Sequence, residues 1–379
     1  MISVRDVARA ALVGAVVLGL CSSAALAEVR YTVTNLGTLP GGYASYAYGI
    51  NNSGQVVGYS YSSPAGYYHA FLYSNGSMTD LGTLPGGAPL QSYAYGINNT
   101  GQIVGQSSTY TAGDKNPVTE HAFRYSGGVM SALGTLPGGV GSVANGINDS
   151  GQVVGYSYTY NDHSQQHRAF AYNNGSMADL GTLGGSLSGA SAINNSGQVV
   201  GWARLPSENS HAFLYSNGVM ADLGTLGGTY SDARGINDAG QVVGYSYTTG
   251  NTAWHACLYD GGSITDLGNL PGSLYSTAYG INDFGQIVGT TYTGSYADKA
   301  FLYSNGAMSN LNSLIDPASG WYLNSAQAIN DSGQIVGYGR YAGQDFTAFL
   351  MTPVPEPATL SLLALGGLAL LHRRRGALS

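Results

Sequence analysis

The chain has 379 residues, of which 9% are charged, whereas a typical soluble domain has about 25% charged residues. It contains 58 glycines and 30 tyrosines but only 13 lysine and arginine residues. This composition excludes a basic nucleic-acid-binding protein, an acidic disordered tail and a coiled coil, because each of these needs many charged side chains. The 44% hydrophobic content can still build a core of strands.

The N-terminus has the order of a secretory signal over residues 1–27. A basic start precedes an apolar run over 10–20, and Ala25 and Ala27 form a small-x-small cleavage site. A lipoprotein signal ending at Cys21 is the alternative, but the leucine before the cysteine is too large for such a cleavage site. We therefore predict export through a cleaved signal peptide.

The C-terminus, residues 354–379, carries a second signal in three parts. A Pro-Glu-Pro motif is followed by a mostly apolar segment over 358–371. As a helix, this segment spans about 21 Å, which is short of the roughly 30 Å hydrocarbon core of a bilayer. A closing arginine cluster favours a cytoplasmic position for this end. The sorting residues are Pro355, Glu356, Pro357, Arg373, Arg374 and Arg375.

This tail resembles the PEP-CTERM sorting signal of Gram-negative bacteria. The resemblance implies recognition by an exosortase, a membrane sorting protease that cuts near the Pro-Glu-Pro motif. The body would then be anchored only transiently in the membrane, and it would be released or re-anchored at the cell surface or in the extracellular matrix. A permanent C-terminal anchor is the alternative.

Residues 28–353 are left when both ends are removed. Five of the 13 basic and two of the 20 acidic residues leave with the ends, so eight basic and 18 acidic residues remain and the net charge is near −10. Such a body is not attracted to nucleic acid or anionic lipid. Cys257 is its single cysteine, so no disulfide can form within one mature chain.

The body is an internal repeat with a period in the forties. A segment close to Ser-x-Ala-x-Gly-Ile-Asn continues with Gly-Gln-Val/Ile-Val-Gly, an Ala-Phe centre and usually Asp-Leu-Gly-Thr-Leu. The repeated asparagines are Asn51, Asn98, Asn148, Asn194, Asn237, Asn282 and Asn330. This period is typical of one propeller blade or of a pair of solenoid helices. Short pieces rich in valine and tyrosine, separated by glycine and asparagine, favour strands.

Each repeat is predicted to contain four strands, a to d. In the first repeat they are 45–50, 55–59, 69–73 and 78–84. Asn75-Gly76 favours a type I′ hairpin between strands c and d, because both positions accept positive φ. The body begins with an unpaired strand d over 31–39 and ends with a strand c over 347–351. Since a ring explains these complementary ends, we predict an all-β, seven-bladed β-propeller of four-stranded blades, closed by its N-terminal strand.

The repeats resemble the HAF family of extracellular repeats, named for a His-Ala-Phe triplet. That triplet stands at 69–71, 121–123 and 211–213. It is altered at 168–170, 255–257, 299–301 and 347–349. The resemblance implies a secreted, propeller-like protein, without a settled reaction. Because the first residue of the triplet is replaceable, a shared chemical task for it is disfavoured.

Two surfaces are candidates for ligand binding. In an a-b-c-d meander the tight a–b and c–d turns lie on one face, the turn face, and the longer b–c and d–a loops lie on the other, the loop face. The longest b–c loops, 106–120 and 156–167, suggest binding at the loop face, with Tyr110, Tyr158 and Tyr160 as candidates.

The second surface is the innermost strand, where one position varies among hydrogen-bonding residues while the alanine before it repeats. The varied residues are Tyr48, Tyr95, Asn145, Ser191, Arg234, Tyr279 and Gln327. They either line a channel mouth or merely fill the centre of the ring. The many tyrosines likewise either contact a ligand or pack between blades.

No catalytic, cofactor or metal site is predicted. His163 and His167 lack the second ligand pair of a zinc site, and the Asn-Asp-Ser-Gly turns at 148–151 and 330–333 supply too few carboxylates for calcium. Asp232 and Arg234 are the one charged pair on a predicted inner strand.

We therefore expect an exported, non-catalytic protein that binds extracellular polysaccharide or a protein partner through its loop face. The polysaccharide expectation rests partly on the tail, because the resemblance implies an association with exopolysaccharide. A polysaccharide-acting enzyme and a passive structural surface protein are the alternatives.

Overall fold

The computed structural model describes residues 31–354, except 64, 86–90, 111–117, 162–163 and 294–297. The predicted signal peptide and the sorting residues from Pro355 onward therefore lie outside the described residues. Residues 32–352 form one compact unit. Seven antiparallel four-stranded sheets make up this unit, and they form the blades of a seven-bladed β-propeller, as predicted.

The strands follow the chain in order within each blade, apart from the first strand, β1 (Tyr31–Asn35). Blade 1 contains β2 (Ser45–Ile50), β3 (Val56–Ser62), β4 (Tyr67–Ser74) and β5 (Ser77–Asp80). Blade 2 contains β6 (Ser92–Ile97), β7 (Ile103–Tyr110), β8 (Val118–Ser126) and β9 (Val129–Ala132). Blade 3 contains β10 (Gly141–Ile147), β11 (Val153–Asn161), β12 (Ser164–Asn173) and β13 (Ser176–Asp179). Blade 4 contains β14 (Ser188–Ile193), β15 (Val199–Arg204), β16 (Ser210–Ser216) and β17 (Val219–Asp222).

The remaining blades follow the same order. Blade 5 contains β18 (Gly227–Ile236), β19 (Val242–Thr248), β20 (Trp254–Asp260) and β21 (Ser263–Gly268). Blade 6 contains β22 (Tyr275–Ile281), β23 (Ile287–Tyr292), β24 (Lys299–Ser304) and β25 (Ala307–Asn310). Blade 7 contains β26 (Trp321–Ile329), β27 (Ile335–Tyr341) and β28 (Gln344–Pro353), with β1 as its fourth strand. Short 3-10 turns span Thr249–Asn251, Leu311–Ser313 and Pro317–Ser319.

The predicted strand a of the first repeat matches β2, but the predicted strand d is too long. It ends at Asp80, because Leu81 and Leu84 leave the sheet edge and are buried between blades. Asn75 and Gly76 have φ values of 51° and 79°, which confirms the type I′ hairpin.

Closure of the ring depends on the segment that begins with β1. The sheet order β1-β28-β27-β26 places the N-terminal strand beside the last one. The Leu36 amide donates to the Ala348 carbonyl at 3.1 Å, and the Ala348 amide donates to Ser45 Oγ at 3.0 Å. Leu36 and Leu39 are buried in the core cluster shared by blades 7 and 1. The predicted closure is therefore confirmed.

The core lies between neighbouring blades. The Ala-Phe centre of strand c is fully buried in most repeats, together with the two apolar residues that start strand b. The buried strand-c residues at this position are Phe71, Phe123, Phe170, Phe213, Cys257, Phe301 and Phe349. Burying a large apolar side chain contributes about 1.5–3 kcal/mol. Packing of these side chains thus stabilises a chain whose described cysteine, Cys257, is buried and unpaired.

Candidate functional site

The turn face is organised by the repeated asparagines, which form a closed circle that we call the asparagine ring. Each side-chain Nδ2 donates to the backbone carbonyl of the equivalent asparagine in the next blade at 2.9–3.1 Å. The last of these bonds runs from Asn330 to Asn51 and so joins blade 7 to blade 1. All seven side chains are buried, at 3–4% exposure.

The same side chains also build the a–b turns. In each blade Nδ2 donates to the glutamine Oε1 four residues later at 2.7–2.9 Å. Oδ1 accepts the backbone N–H of that glutamine at 2.8–3.0 Å. The sequence analysis predicted turn formation but missed the links between blades. The pairing of Asn with Gln at a spacing of four in every repeat was the available signal.

The residues after these asparagines form a second circle, which we call the outer ring. Each backbone N–H donates to the side-chain Oδ1 of the next blade at 2.8–3.1 Å. Its members are Asn52, Asn99, Asp149, Asn195, Asp238, Asp283 and Asp331. Within the described residues, no group of three His, Cys, Asp or Glu side chains is placed to hold a metal ion. The carboxylates of the outer ring accept hydrogen bonds within the ring itself.

The opposite end of the axis is the channel mouth, where the structure brings the varied inner-strand residues together. A cavity of about 380 Å³ is lined by Tyr48, Tyr95, Asn145, Ser191, Arg234, Tyr279, Gln327 and Tyr338. All seven residues that the sequence singled out on the inner strand therefore surround one opening.

A β-bulge in every blade aims these side chains at the axis. The register between strands a and b slips at each varied residue, for example between Ala47 and Gly49, so that Tyr48 has no partner on strand b. Bulges re-aim side chains in this way. A Cβ added to Gly58, or to its counterparts in the other blades, would lie 1.9–2.1 Å from a strand-a carbonyl oxygen. The glycine that ends each Val-Gly pair is therefore required by this close approach.

Tyrosines pack tightly behind the mouth in blades 1 and 2. The hydroxyls of Tyr48 and Tyr59 are 3.3 Å apart, and Tyr59 lies edge-on to Tyr93 with 4.8 Å between ring centroids. Burial raises the pKa of Tyr48 well above its ordinary value. At neutral pH these phenols are uncharged hydrogen-bonding groups. Much of the tyrosine excess thus packs within and between blades.

Among the described residues that line the mouth, Arg234 is the only arginine. Its guanidinium is paired with the carboxylate of Asp232. Arg234 Nη2 is 2.8 Å from Asp232 Oδ2, and its guanidinium lies 5.8 Å from the centre of the Tyr245 ring. Asp232 is buried at 6% exposure, and its Oδ1 has no hydrogen-bond partner. Burial raises the pKa of Asp232 to about 6, and the nearby Arg234 charge opposes this rise only in part.

Next to the mouth lies a second cavity of about 370 Å³, which we call the cleft, between blades 4 and 5. Its aromatic walls are Trp202, Tyr230, Tyr245 and Tyr247, and its polar side chains include Arg204, Ser210 and Asp232. The sequence analysis missed the cleft because Trp202 and Tyr230 lie in different repeats, and only the fold shows that they meet.

The loop candidates have different positions. Tyr158 is buried at 2% exposure, and its hydroxyl donates to Glu120 Oε2 of the neighbouring blade. It therefore packs between blades 2 and 3 and is not available on the surface. The backbones of Tyr110 and Tyr160 belong to strands, while their side chains lie outside the described residues, as does His163.

Three of the four triplet histidines are hydrogen-bonded to a carboxylate on the neighbouring strand d, whereas His121 Nε2 lies 3.2 Å from Thr119 Oγ1. His69 Nδ1 is 2.9 Å from Asp80, and His211 is 2.9 Å from Asp222. His255 is paired with Asp266 at 2.8 Å. In blade 3 Arg168 takes the same role toward Asp179 at 2.9 Å. This explains why the first residue of the triplet can change from histidine to arginine.

Comparisons with known sequences match two parts of the chain. Residues 40–136, which contain blades 1 and 2, match a family described as a protein of unknown function (DUF3466). Residues 353–375 match the PEP-CTERM protein-sorting motif, a sorting signal recognised by exosortase. A comparison with curated proteins finds no match. The HAF resemblance and the signal peptide stay predictions.

Several solved structures are similar to this chain at low identity. A gluconolactonase from Xanthomonas campestris is 10% identical, with 88% of this chain and 94% of that chain covered and a TM-score of 0.44. The β-propeller domain of the Trilobed protease from Pyrococcus furiosus is 11% identical, with 72% and 100% covered and a TM-score of 0.41. The Aleuria aurantia lectin is 12% identical, with 83% and 96% covered and a TM-score of 0.38. What these structures share with the chain is the fold.

The sorting motif determines the destination of the chain. None of the helices in the described part of the chain is long and apolar enough to cross a membrane. The PEP-CTERM tail indicates export and sorting to the cell surface. The chain is therefore an exported surface protein built as a seven-bladed β-propeller.

Proposed function

We propose that this propeller binds a polysaccharide outside the cell through its loop face and catalyses no reaction on it. One observation carries the proposal. The seven bulge residues around the mouth are of five types, three of them tyrosine, whereas the turn face repeats one hydrogen-bond pattern in every blade. Side chains that keep a repeat protein folded recur, and variation within a fixed frame marks a surface that serves another molecule.

The chemistry of the loop face suits a polymer rich in hydroxyl groups. Tyrosine offers an apolar ring and a polar tip at a low cost in conformational entropy. Tyr43 on the d–a loop of blade 1 is 65% exposed and contacts Tyr61, with 4.4 Å between ring centroids. Amide, hydroxyl and phenol groups line the mouth itself. Stacking and hydrogen bonding are thus both available on one face.

Catalysis on a polysaccharide is the weaker alternative. Glycoside hydrolysis commonly uses two carboxyl groups that flank the scissile bond. The described residues that line the mouth and the cleft include a single carboxyl group, that of Asp232. Turnover of matrix polysaccharide that is lost in Asp232→Asn would favour the enzyme. A surface-texture change on gene deletion, without binding to any polymer, would favour a passive structural role.

The test is a binding measurement with the exported protein and polysaccharide prepared from the host's own surface and matrix. We expect saturable binding that Tyr43→Ala weakens several-fold. Phe284→Ala is the matched control, because Phe284 is 75% exposed at an a–b turn of the turn face. Binding to none of the polymers, or equal loss in both variants, would contradict the proposal.

A further inference from the structure

The geometry points to the cleft between blades 4 and 5 as a subsite for one neutral pyranose residue, stacked on Trp202 and hydrogen-bonded to Asp232. This inference rests on the proposed function and deepens it. The cleft volume, about 370 Å³, is at the small end of the roughly 300–1,000 Å³ typical of ligand pockets. Aromatic walls with a few polar groups are the usual lining of such pockets.

The fold holds the Trp202 indole in place through a glycine. Trp202 on β15 pairs with Gly189 on β14, and a Cβ added to Gly189 would lie 2.9 Å from Trp202 Nε1. The ring therefore lies directly over the β14 backbone, where a side chain would displace it. The corresponding strand-a residues of the other blades all carry side chains: Tyr46, Tyr93, Val143, Asp232, Thr277 and Ser325.

A buried carboxyl oxygen supplies a second, independent sign of a ligand. Asp232 lines the cleft and is buried, with one oxygen paired to Arg234 at 2.8 Å. Its other oxygen has no hydrogen-bond partner. Buried polar groups in proteins are nearly always hydrogen-bonded. Asp232 lines the cleft, so a ligand hydroxyl that reaches this oxygen would donate to it and complete its hydrogen bonding.

The pairing of charges around the cleft favours a neutral ligand over a charged one. Arg204 is paired with Glu208 at 3.0 Å, and Arg234 is paired with Asp232. Both cations near the cleft are thus matched by carboxylates, so an acidic sugar would meet no uncompensated positive charge. An amino sugar would likewise have to compete with Arg234 for Asp232. Hydroxyl groups can donate to Asp232 without adding a charge.

The experiment uses host polysaccharide separated by ion exchange into neutral, acidic and basic fractions, with the exported protein as the binder. We expect the neutral fraction to bind, and Trp202→Ala to weaken that binding by about tenfold, which corresponds to about 1.4 kcal/mol. Trp202→Phe should restore part of the affinity, since it keeps an aromatic face. Gly189→Ala should weaken binding as well, because it displaces the indole and leaves every other side chain of the cleft unchanged.

The outcomes separate this inference from the proposed function. Phe284→Ala on the turn face serves as the control, and thermal melting of each variant checks its folding. Neutral binding that survives Trp202→Ala and Gly189→Ala in folded proteins, or binding confined to a charged fraction, overturns the subsite while the proposed function stands. Binding to no fraction overturns both.

Discussion

The two ends of the propeller axis are built from the same strands but follow opposite rules. At the turn face each blade contributes the same asparagine, whose side chain bonds to its own turn and to the next blade. At the mouth each blade contributes a bulge residue, and the seven residues include tyrosine, asparagine, serine, arginine and glutamine. The repeated asparagines link every blade to the next, whereas at the mouth Asn145 makes such a link in blade 3, by donating to the Ala190 carbonyl of blade 4 at 2.8 Å.

Within one strand of a blade and its turn, a residue that holds the ring together can be told apart from a residue that is free to vary. Tyr48 lies on β2, the innermost strand of blade 1, and Asn51 lies three positions later, at the start of the turn that follows this strand. Asn51 donates to blade 2, so any change there affects two blades. Tyr48 occupies a bulge and lines a cavity, so its identity can change without breaking the ladder. Four experiments test this contrast.

The largest effect is expected at the asparagine ring. Asn194→Ala removes the hydrogen bond to the Asn237 carbonyl and the two bonds to Gln198. Because each buried group left unpaired costs about 1–3 kcal/mol, we expect a loss of about 3–5 kcal/mol in the free energy of unfolding. Denaturant titration would measure this loss.

Ser191→Ala, at the mouth of the same blade, is the matched control for that measurement. Since a substitution away from core or paired sites usually changes stability by less than about 0.5 kcal/mol, we expect almost no change. Equal losses in Asn194→Ala and Ser191→Ala would remove the distinction between the two ends.

The second-largest effect is expected in the pH dependence of stability, to which Asp232 contributes. Burial raises its folded pKa to about 6, whereas the unfolded value is about 3.9. The folded state therefore binds the proton more tightly, and this contribution to stability is lost as the pH rises through about 6. Its size is on the order of 2–3 kcal/mol. We expect Asp232→Asn to equal the wild type near pH 4 and to exceed its unfolding free energy by that amount at pH 8.

Asp80→Asn is expected to change the pH dependence of the unfolding free energy in the opposite direction. Burial of Asp80 acts to raise its pKa, but hydrogen bonds from His69 and from the Gly82 amide outweigh burial and lower it. The stability that Asp80 contributes is therefore present above its unfolded pKa and lost as the pH falls. We expect Asp80→Asn to be less stable than the wild type at neutral pH. The same pH dependence in both variants would refute the burial argument for Asp232.

The architecture could be predicted from the sequence because the same pattern of strands and turns occurs in seven repeats. The Asn-Gly pairs favour the positive φ values of tight hairpin turns. The first strand lacks a blade of its own and the last blade lacks a fourth strand, so pairing them closes the ring. Strand d was predicted too long because Leu81 continues the apolar pattern although it turns into the core. The bulges were not predicted, since alternation along Ser45–Ile50 fits a regular strand equally well.

The candidate site was predicted only in part. The mouth residues share one position in the repeat, so a ring brings all of them together. The cleft joins Trp202 of one repeat to Tyr230 of the next, and no spacing rule within a repeat connects them. Tyr158 was expected at the surface from its loop, but β11 continues to Asn161 and buries this ring between blades.

The third experiment asks whether a residue that departs from the repeat, Cys257, has a role in packing. Cys257 replaces phenylalanine in blade 5, and there Tyr259 is buried at 4% exposure. The equivalent tyrosines of blades 1 to 4 and 6 are half-buried. Tyr259 thus fills space that a phenylalanine ring fills elsewhere, so we expect Cys257→Phe to overpack the core and to destabilise the protein by about 2 kcal/mol. Thermal or denaturant unfolding would show it, and a stabilised variant would mean that blade 5 contains an unfilled void.

The smallest effect is expected in the outer ring, where Asp238, Asp283 and Asp331 follow one another. The Asp238 amide donates to Asp283 Oδ1 at 2.9 Å, and an asparagine at 283 would keep that acceptor. Asp283→Asn should therefore preserve the ring and remove one of three neighbouring negative charges. We expect a gain below about 0.5 kcal/mol that disappears at 1 M salt, because exposed charges interact weakly and are screened. A loss of more than 1 kcal/mol, independent of salt, would show that the carboxylate itself is needed and that the turn face does more than hold the blades together.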